Sequence, residues 1–249
     1  MFELFKAKKA LKKHLAAPSE ENQRTLHTKI SKLDSKQINQ LFLNTTIDSD
    51  GLFHGAIRTS RESVESLIDL CELYCPQSFH EMILSRQGGE QRSALHSALI
   101  YQPELLDLIL DAILELCPEH LENILLHPDQ KNRHVFLSAT LYNQTKNGCS
   151  QQIISLLQKT HQHCPSILKN LLFDHDHLGK TAWITGVSST YTLLDTIITQ
   201  YWQILPLYIQ TIAKKYPNSL KTHLTTNNTR TTTHWLRPKN LVQEPSDVY

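Results

Sequence analysis

Three short stretches of this chain carry the same cadence: "CPQSFHEMIL" from Cys75, "CPEHLENILL" from Cys117 and "CPSILKNLLF" from Cys164. A fourth, "YPNSLKTHLT" from Tyr216, keeps the frame with an aromatic residue in place of the cysteine. The copies are separated by 42, 47 and 52 residues, and a fainter copy, "LDSKQINQLFL", puts Asp34 at the same place 41 residues before Cys75. Internal repetition at such periods restricts the chain to architectures in which like units stack on like units.

A second landmark is locked to the first. It reads "DSDGLFHGAI" from Asp48, "GGEQRSALHSAL" from Gly88, "DQKNRHVFLSAT" from Asp129 and "DHDHLGKTAWITGV" from Asp174. Cys75 to Ala98 spans 23 residues, while Cys117 to Ala139 and Cys164 to Gly186 each span 22. Length variation falls elsewhere: Ala56 to Cys75 and Ala98 to Cys117 are 19 residues, Ala139 to Cys164 is 25 because "NQTKNGCSQ" is inserted, and Gly186 to Tyr216 is 30. Insertions confined to one place per unit belong on one face of a stacked array.

The units read as helical. Only 7 of 249 residues are glycine, against 40% hydrophobic residues. In "SALHSALIY" Ala94, Leu95, Ala98 and Leu99 face one way, and Gln102 ends the pattern. "PELLDLILDAILELC" then starts a second helix with Pro103 at its first position, and Leu105, Leu106, Ile109, Ala112, Ile113 and Leu116 follow helical spacing. Pro118 ends it and "EHLENILLH" makes a third, short helix. In the preceding unit "RESVESLIDLCELYC" is the second helix, capped by Ser60.

The words "SALHSA" and "DHDHLGKTAWITG" carry a resemblance to the ankyrin repeat, whose signature is D-x-x-G-x-T-P-L-H-x-A. Asp176, Gly179, Thr181, Ala182 and Trp183 fit its first part, and Ser93, Ala94, Leu95, His96 and Ala98 fit its second. Asp129, Asn132, Phe136 and Ala139 fit more loosely. The shortest period here, 41, exceeds the ankyrin period of about 33 because a third helix follows each "CP". HEAT and armadillo units match the length better, but have no need of the D-x-x-G turn. The resemblance implies an all-α helical-repeat solenoid of four to five ankyrin-like units with an extra third helix. It covers residues 34–240, behind a capping segment at 1–33 and ahead of a disordered tail at 241–249. Arrays of this irregular kind look like those of effectors secreted by intracellular bacteria. That implies a monomer acting in the cytoplasm, including a host cell's cytosol reached without a Sec signal.

Several residues invite chemistry. Asp174, His175, Asp176 and His177 have metal-ligand character, but consecutive residues of a turn point in alternating directions. Within the repeat frame Asp176 accepts backbone hydrogen bonds, Gly179 supplies a positive φ and Thr181 caps the next helix. Cys75, Cys117 and Cys164 share a repeat position with Tyr216, as core fillers do. Cys71 and Cys75 share a helical face without a following pair of histidines, and Cys149 falls in the insertion. A Cys–His hydrolase or transferase is therefore the alternative, because such partners meet in space rather than in sequence. Five cysteines with no secretory signal lead us to expect reduced thiols.

Arg92, Arg133 and Lys180 occupy one position in three successive units, a ladder suited to an acidic partner. Because ankyrin-like arrays bind through hairpin tips and first helices, the resemblance makes Arg92, His96, Arg133, Tyr142, Lys180 and Tyr191 the candidate contacts for a protein partner. The formal net charge of +1 argues against nucleic acid, and no cofactor is expected. The N-terminal "MFELFKAKKALKKHL" is a basic amphipathic helix, with Phe2, Phe5, Leu11 and Leu15 broadly on one side and Lys6, Lys8, Lys9, Lys12 and Lys13 over much of the remainder. It suits capping of the first unit, or association of residues 1–15 with an anionic membrane.

Overall fold

The structure, a computed structural model, describes residues 2–85, 91–146 and 150–182. Tyr191, Cys149, the copy at Tyr216 and the tail at 241–249 lie outside the described residues, as do Trp183 and the array beyond it. What is described is mostly helical. Helices α1 (Phe2–Ala16), α2 (Glu20–Ile30) and α3 (Ser35–Leu43) lead to a hairpin of β1 (Thr46–Ile47) and β2 (Asp50–Gly51). Three further triplets follow. They are α4 (Leu52–Thr59), α5 (Arg61–Tyr74) and α6 (Phe79–Leu84); α7 (Ala94–Tyr101), α8 (Leu105–Leu116) and α9 (Leu121–Leu126); and α10 (Val135–Lys146), α11 (Ser150–His163) and α12 (Leu168–Phe173).

Local chemistry sets these boundaries. Ser60 caps α5 as its sequence implies, its hydroxyl accepting from Ser63 N–H at 3.2 Å. Asp34 and Gln37 form a reciprocal capping box at the start of α3. The cysteine–proline pairs are repeated corners. Cys75, Cys117 and Cys164 have φ/ψ of −153°/50°, −153°/53° and −147°/64°, and each donates its N–H to the residue four positions back. The proline then opens a 3-10 turn (Pro76–Ser78, Pro118–His120 or Pro165–Ile167) that runs directly into α6, α9 or α12. Proline at the first position of a helical turn loses no hydrogen bond, and the residue before it is pushed out of the α region. The third helix after each "CP" is therefore present in all three triplets. Pro103 behaves otherwise: it sits in the turn before α8, which begins at Leu105 after that residue's N–H reaches the Gln102 carbonyl at 2.9 Å. Part of the extra length after Ala139 is taken up by α10, which has 12 residues where α4 and α7 have 8.

Equivalent helices pack on one another: α4 on α7 and α7 on α10, α5 on α8 and α8 on α11, α6 on α9 and α9 on α12. Between them lie fully buried residues such as Phe53, Leu67, Ile83, Leu95, Ile109, Ile124, Phe136 and Leu156. Side-chain hydrogen bonds stitch the same interfaces, with Gln102 Nε2 donating to the Ile57 carbonyl at 2.6 Å and the Tyr142 hydroxyl to the Ile100 carbonyl at 2.6 Å. At the N-terminal end α1 packs on α2, α4 and α5, and the Ser63 hydroxyl donates to the Leu15 carbonyl at 2.6 Å. The two faces of α1 differ from the sequence expectation. Leu11 and Leu15 are fully buried, but Phe2 and Phe5 are on the opposite, solvent side. Leu11 and Leu15 align with Ala7 and His14 at helical spacing, and that stripe is the one the neighbouring helices cover. No helix among the described residues is long and apolar enough to cross a membrane.

Gly55 lies where α4 crosses β1, and a Cβ there would run into the Cβ of Ile47 and come within 2.9 Å of its Cδ1. Overpacking of this kind outweighs the helix-propensity gain of about 1 kcal/mol, so Gly55→Ala is expected to lower stability by a net 1–2 kcal/mol or about that. Denaturant titration of Gly55→Ala, of Ile47→Gly, which removes the obstructing Cβ, and of Gly55→Ala/Ile47→Gly checks this. The collision predicts positive coupling, with the second change recovering stability instead of adding its own loss.

Candidate functional site

Two five-residue turns, Asp129–Arg133 and Asp176–Lys180, are built alike bond for bond. In each the aspartate N–H donates to the carbonyl of the fifth residue at 2.9 Å, and the N–H of the fourth returns to the aspartate carbonyl at 3.0 Å. One carboxylate oxygen then collects two further donors. Asp129 Oδ1 accepts from the N–H of Lys131 (2.8 Å) and Arg133 (3.0 Å), and Asp176 Oδ1 from Leu178 (2.8 Å) and Lys180 (2.8 Å). The fourth residue takes a positive φ, 56° at Asn132 and 74° at Gly179, a region open to glycine and tolerated by asparagine. Gln91 has φ 48° at the equivalent place.

The turns are also bonded to each other. His177 N–H and Nδ1 both reach the Lys131 carbonyl, at 3.1 and 3.0 Å, and the Asn132 side-chain amide donates to the His175 carbonyl at 2.8 Å. From the other side His96 Nε2 donates to the Arg133 carbonyl at 2.9 Å while its Nδ1 accepts from the Ser93 hydroxyl at 2.7 Å. His54, one triplet earlier, does the same work: Nε2 donates to the Ser85 carbonyl at 2.9 Å and Nδ1 accepts from Ser97 at 2.7 Å. The result is a continuous edge running from α7 through one turn to the next. On it Gln130, Asn132, His175, His177 and Lys180 are exposed, together with Leu178 at 62%.

Most of the anticipated contacts have inward duties. His96 is 1% exposed and belongs to the interior, with both ring nitrogens used. Arg133 points its guanidinium back at Asp129, Nε to Oδ2 at 2.8 Å, so the ladder is not a row of outward cations. Arg92 is half-buried and is engaged by other groups of the molecule. Tyr142 is half-buried and tied to Ile100. Lys180 is the one exposed residue among the five that are described; Leu178, at the tip beside it, has no counterpart in the charge pattern that drew attention to the ladder.

No family model, curated protein or solved structure matches this chain.

Electrostatics reinforce the structural part played by the buried groups. Burial alone would raise the Asp129 carboxyl, but the hydrogen bonds and charge of Arg133 hold it below its usual range. Burial pushes the imidazole of His96 down to about 4 and that of His134 down to about 3. His134 Nδ1 accepts from Leu137 N–H at 3.2 Å, so the neutral ring carries its proton on Nε2, which has no hydrogen-bond partner among the described residues. The thiols are similarly quiet. Burial raises Cys71, lifts Cys117 to about 12 and lifts Cys164 to about 11. A thiol so protonated is a poor nucleophile, which counts against these three as catalytic groups. Among the described residues no group of three or more His, Cys, Asp or Glu converges as a metal site would require. Asp176 spends its carboxylate on backbone donors.

Because His96 and His134 are neutral when folded, the unfolded chain gains protons first as pH falls through its ordinary histidine value near 6.5. Stability is therefore full above that pH and declines toward pH 4 for His96 and further, toward pH 3, for His134. Each group contributes a slope of about 1.4 kcal/mol per pH unit inside its window. Asp129 adds its own loss only at lower pH, below about 4. Urea midpoints measured from pH 7 to pH 4 should fall steadily, and His96→Gln should fall less steeply; parallel curves would mean that His96 does not titrate on unfolding.

Proposed function

We propose that this chain is a helical-repeat solenoid of ankyrin-like units that binds a protein partner along the edge formed by its stacked turns. The observation that carries the reading is the pair of turns at Asp129 and Asp176. Many of their backbone polar groups are bonded internally or across to each other, while Leu178, Lys180 and the imidazoles of His175 and His177 are left at the surface. A rigid edge with an apolar tip beside a cation suits recognition, since little ordering entropy remains to be lost on binding. The stacking of equivalent helices supports the solenoid, and the Asp-x-x-Gly and Ser-Ala-Leu-His words support its ankyrin-like character.

On this reading the partner presents an apolar side chain next to a carboxylate. The protein works as a monomer in the cytoplasm, its own or that of a host cell as an effector, and needs no cofactor. The expected behaviour is that Leu178→Asp/Lys180→Glu loses a partner that the native chain captures. Titration of the purified partner should show affinity lower by at least about 100-fold, the scale of a lost central apolar contact with an added like-charge repulsion. Both side chains are exposed, so the melting temperature should stay put. A partner bound equally well by both chains would move recognition away from this edge.

A further inference from the structure

The solvent face of α1 has no part in the edge described above, and its composition is unusual for a helix that closes an array. Positions 2, 5, 9, 12, 13 and 16 fall on one side of it, three or four residues apart, and all six are exposed. They are Phe2 at 67% and Phe5 at 66%, then Lys9, Lys12, Lys13 and Ala16. The opposite stripe, Ala7, Leu11, His14 and Leu15, is at most 2% exposed and is held by α2, α4 and α5. Two further bonds fix the rotation of the helix: Ser63 to the Leu15 carbonyl at 2.6 Å, and His14 Nε2 with the Ser66 hydroxyl at 3.0 Å. The helix cannot roll to hide its phenylalanines without breaking that packing.

Two aromatic rings one turn apart in water forgo the 1.5–3 kcal/mol, or about that, which burial of each would return. The charge around them is one-sided. Glu3 is the sole acidic residue of α1 and is already paired with Lys6 at 2.9 Å, and Lys6 itself lies 3.9 Å from the centroid of the Phe2 ring. Lys29 and Lys32 of the following segment are within electrostatic reach of Glu3. In a chain whose formal net charge is only +1, cations are gathered here.

We infer that the solvent face of α1 docks on an anionic lipid bilayer, with Phe2 and Phe5 entering the interface and Lys9, Lys12 and Lys13 meeting the headgroups. The pattern fits a planar surface of that chemistry. Aromatic rings gain by leaving water at the headgroup level, and lysines on the same face keep their ammonium groups in the polar layer by extending their stems. An acidic peptide would engage the lysines but give the phenylalanines nothing to enter. The helix would lie along the membrane while its inner stripe stays packed, so docking requires no unfolding of the first triplet.

The full chain should co-sediment with vesicles of phosphatidylcholine mixed with phosphatidylserine, bind phosphatidylcholine alone far less, and be released by high salt. Lys9→Gln/Lys12→Gln/Lys13→Gln should weaken partition on the order of 100-fold, at about fivefold for each lysine near an anionic surface. Phe2→Ser/Phe5→Ser should weaken it at least about tenfold. Phe5→Trp should retain binding, and its added emission should shift to the blue on the mixed vesicles. All these side chains are exposed, so unchanged thermal melts confirm that folding is intact. Absence of binding to the mixed vesicles overturns the inference. So does binding that survives Phe2→Ser/Phe5→Ser, the signature of charge attraction alone. Self-association that depends on Phe2 and Phe5 without vesicle binding would make the occupant a second copy and overturn it equally.

Discussion

A turn that must carry five residues across the end of a helical layer exposes more backbone donors than the turn itself can satisfy. One aspartate carboxylate resolves this at Asp129 and again at Asp176, each gathering N–H groups from the residues two and four positions on. The carboxylates are 4% and 7% exposed as residues, so the charge is itself a burden that needs offsetting. At Asp129 the Arg133 guanidinium does so directly. At Asp176 the backbone N–H groups supply the compensation. Everything downstream depends on these turns holding their shape: the carbonyls of Lys131 and Arg133 are aimed at the next and previous triplets only because the turn fixes them.

The histidines carry that order into the helices. His54 and His96 stand at the same place in α4 and α7, adopt the same tautomer, and each spends one nitrogen on a backbone carbonyl outside its own helix. A hydrocarbon side chain would fill the space but remove one donor from the carbonyl of Arg133, which keeps the Asp129 N–H, a loss of about 0.5–1.5 kcal/mol for one hydrogen bond. Registration between triplets is thus polar at the turn end and apolar along the helices, where Leu, Ile and Phe side chains interleave. This division explains why the interior tolerates cysteine at three corners. The corner needs a small, non-polar filler beside a distorted backbone, and a cysteine side chain meets that need.

The repetition and the helical triplets were legible because they rest on local rules. Proline after cysteine, serine before a helix and apolar spacing each act within a few residues. What depends on direction was not. Arg133 matches Lys180 in position, yet its side chain folds back because Asp129 lies within reach and is buried, and nothing in a charge pattern reveals which way an arginine turns. The ankyrin resemblance makes His96 a contact through its place on a first helix, although its position beside Ala94, Leu95 and Ala98 already puts it on an inward face. Phe2 and Phe5 were grouped with Leu11 and Leu15 by apolarity, whereas helical geometry sets them on opposite sides. His14 also belongs to the buried stripe. In α1 the grouping follows residue type, whereas the interior follows angular position.

On the proposed reading, the bonding between turns also narrows where a partner can engage the edge. A partner that competed for the Lys131 carbonyl or the Asn132 amide would have to break the contacts to His177 and His175 that keep successive turns in register. Its gain would be set against a loss of about the same kind, leaving little net affinity. The third and fifth residues of the second turn are different. The N–H groups of Leu178 and Lys180 are occupied inside the turn, but their side chains leave it without any bond that registration needs. Contacts made through them therefore add to the stacking energy instead of drawing on it. Sequence variation at those two positions changes the recognition surface at small cost to the fold, whereas variation at the first and fourth positions of the turn changes the fold itself.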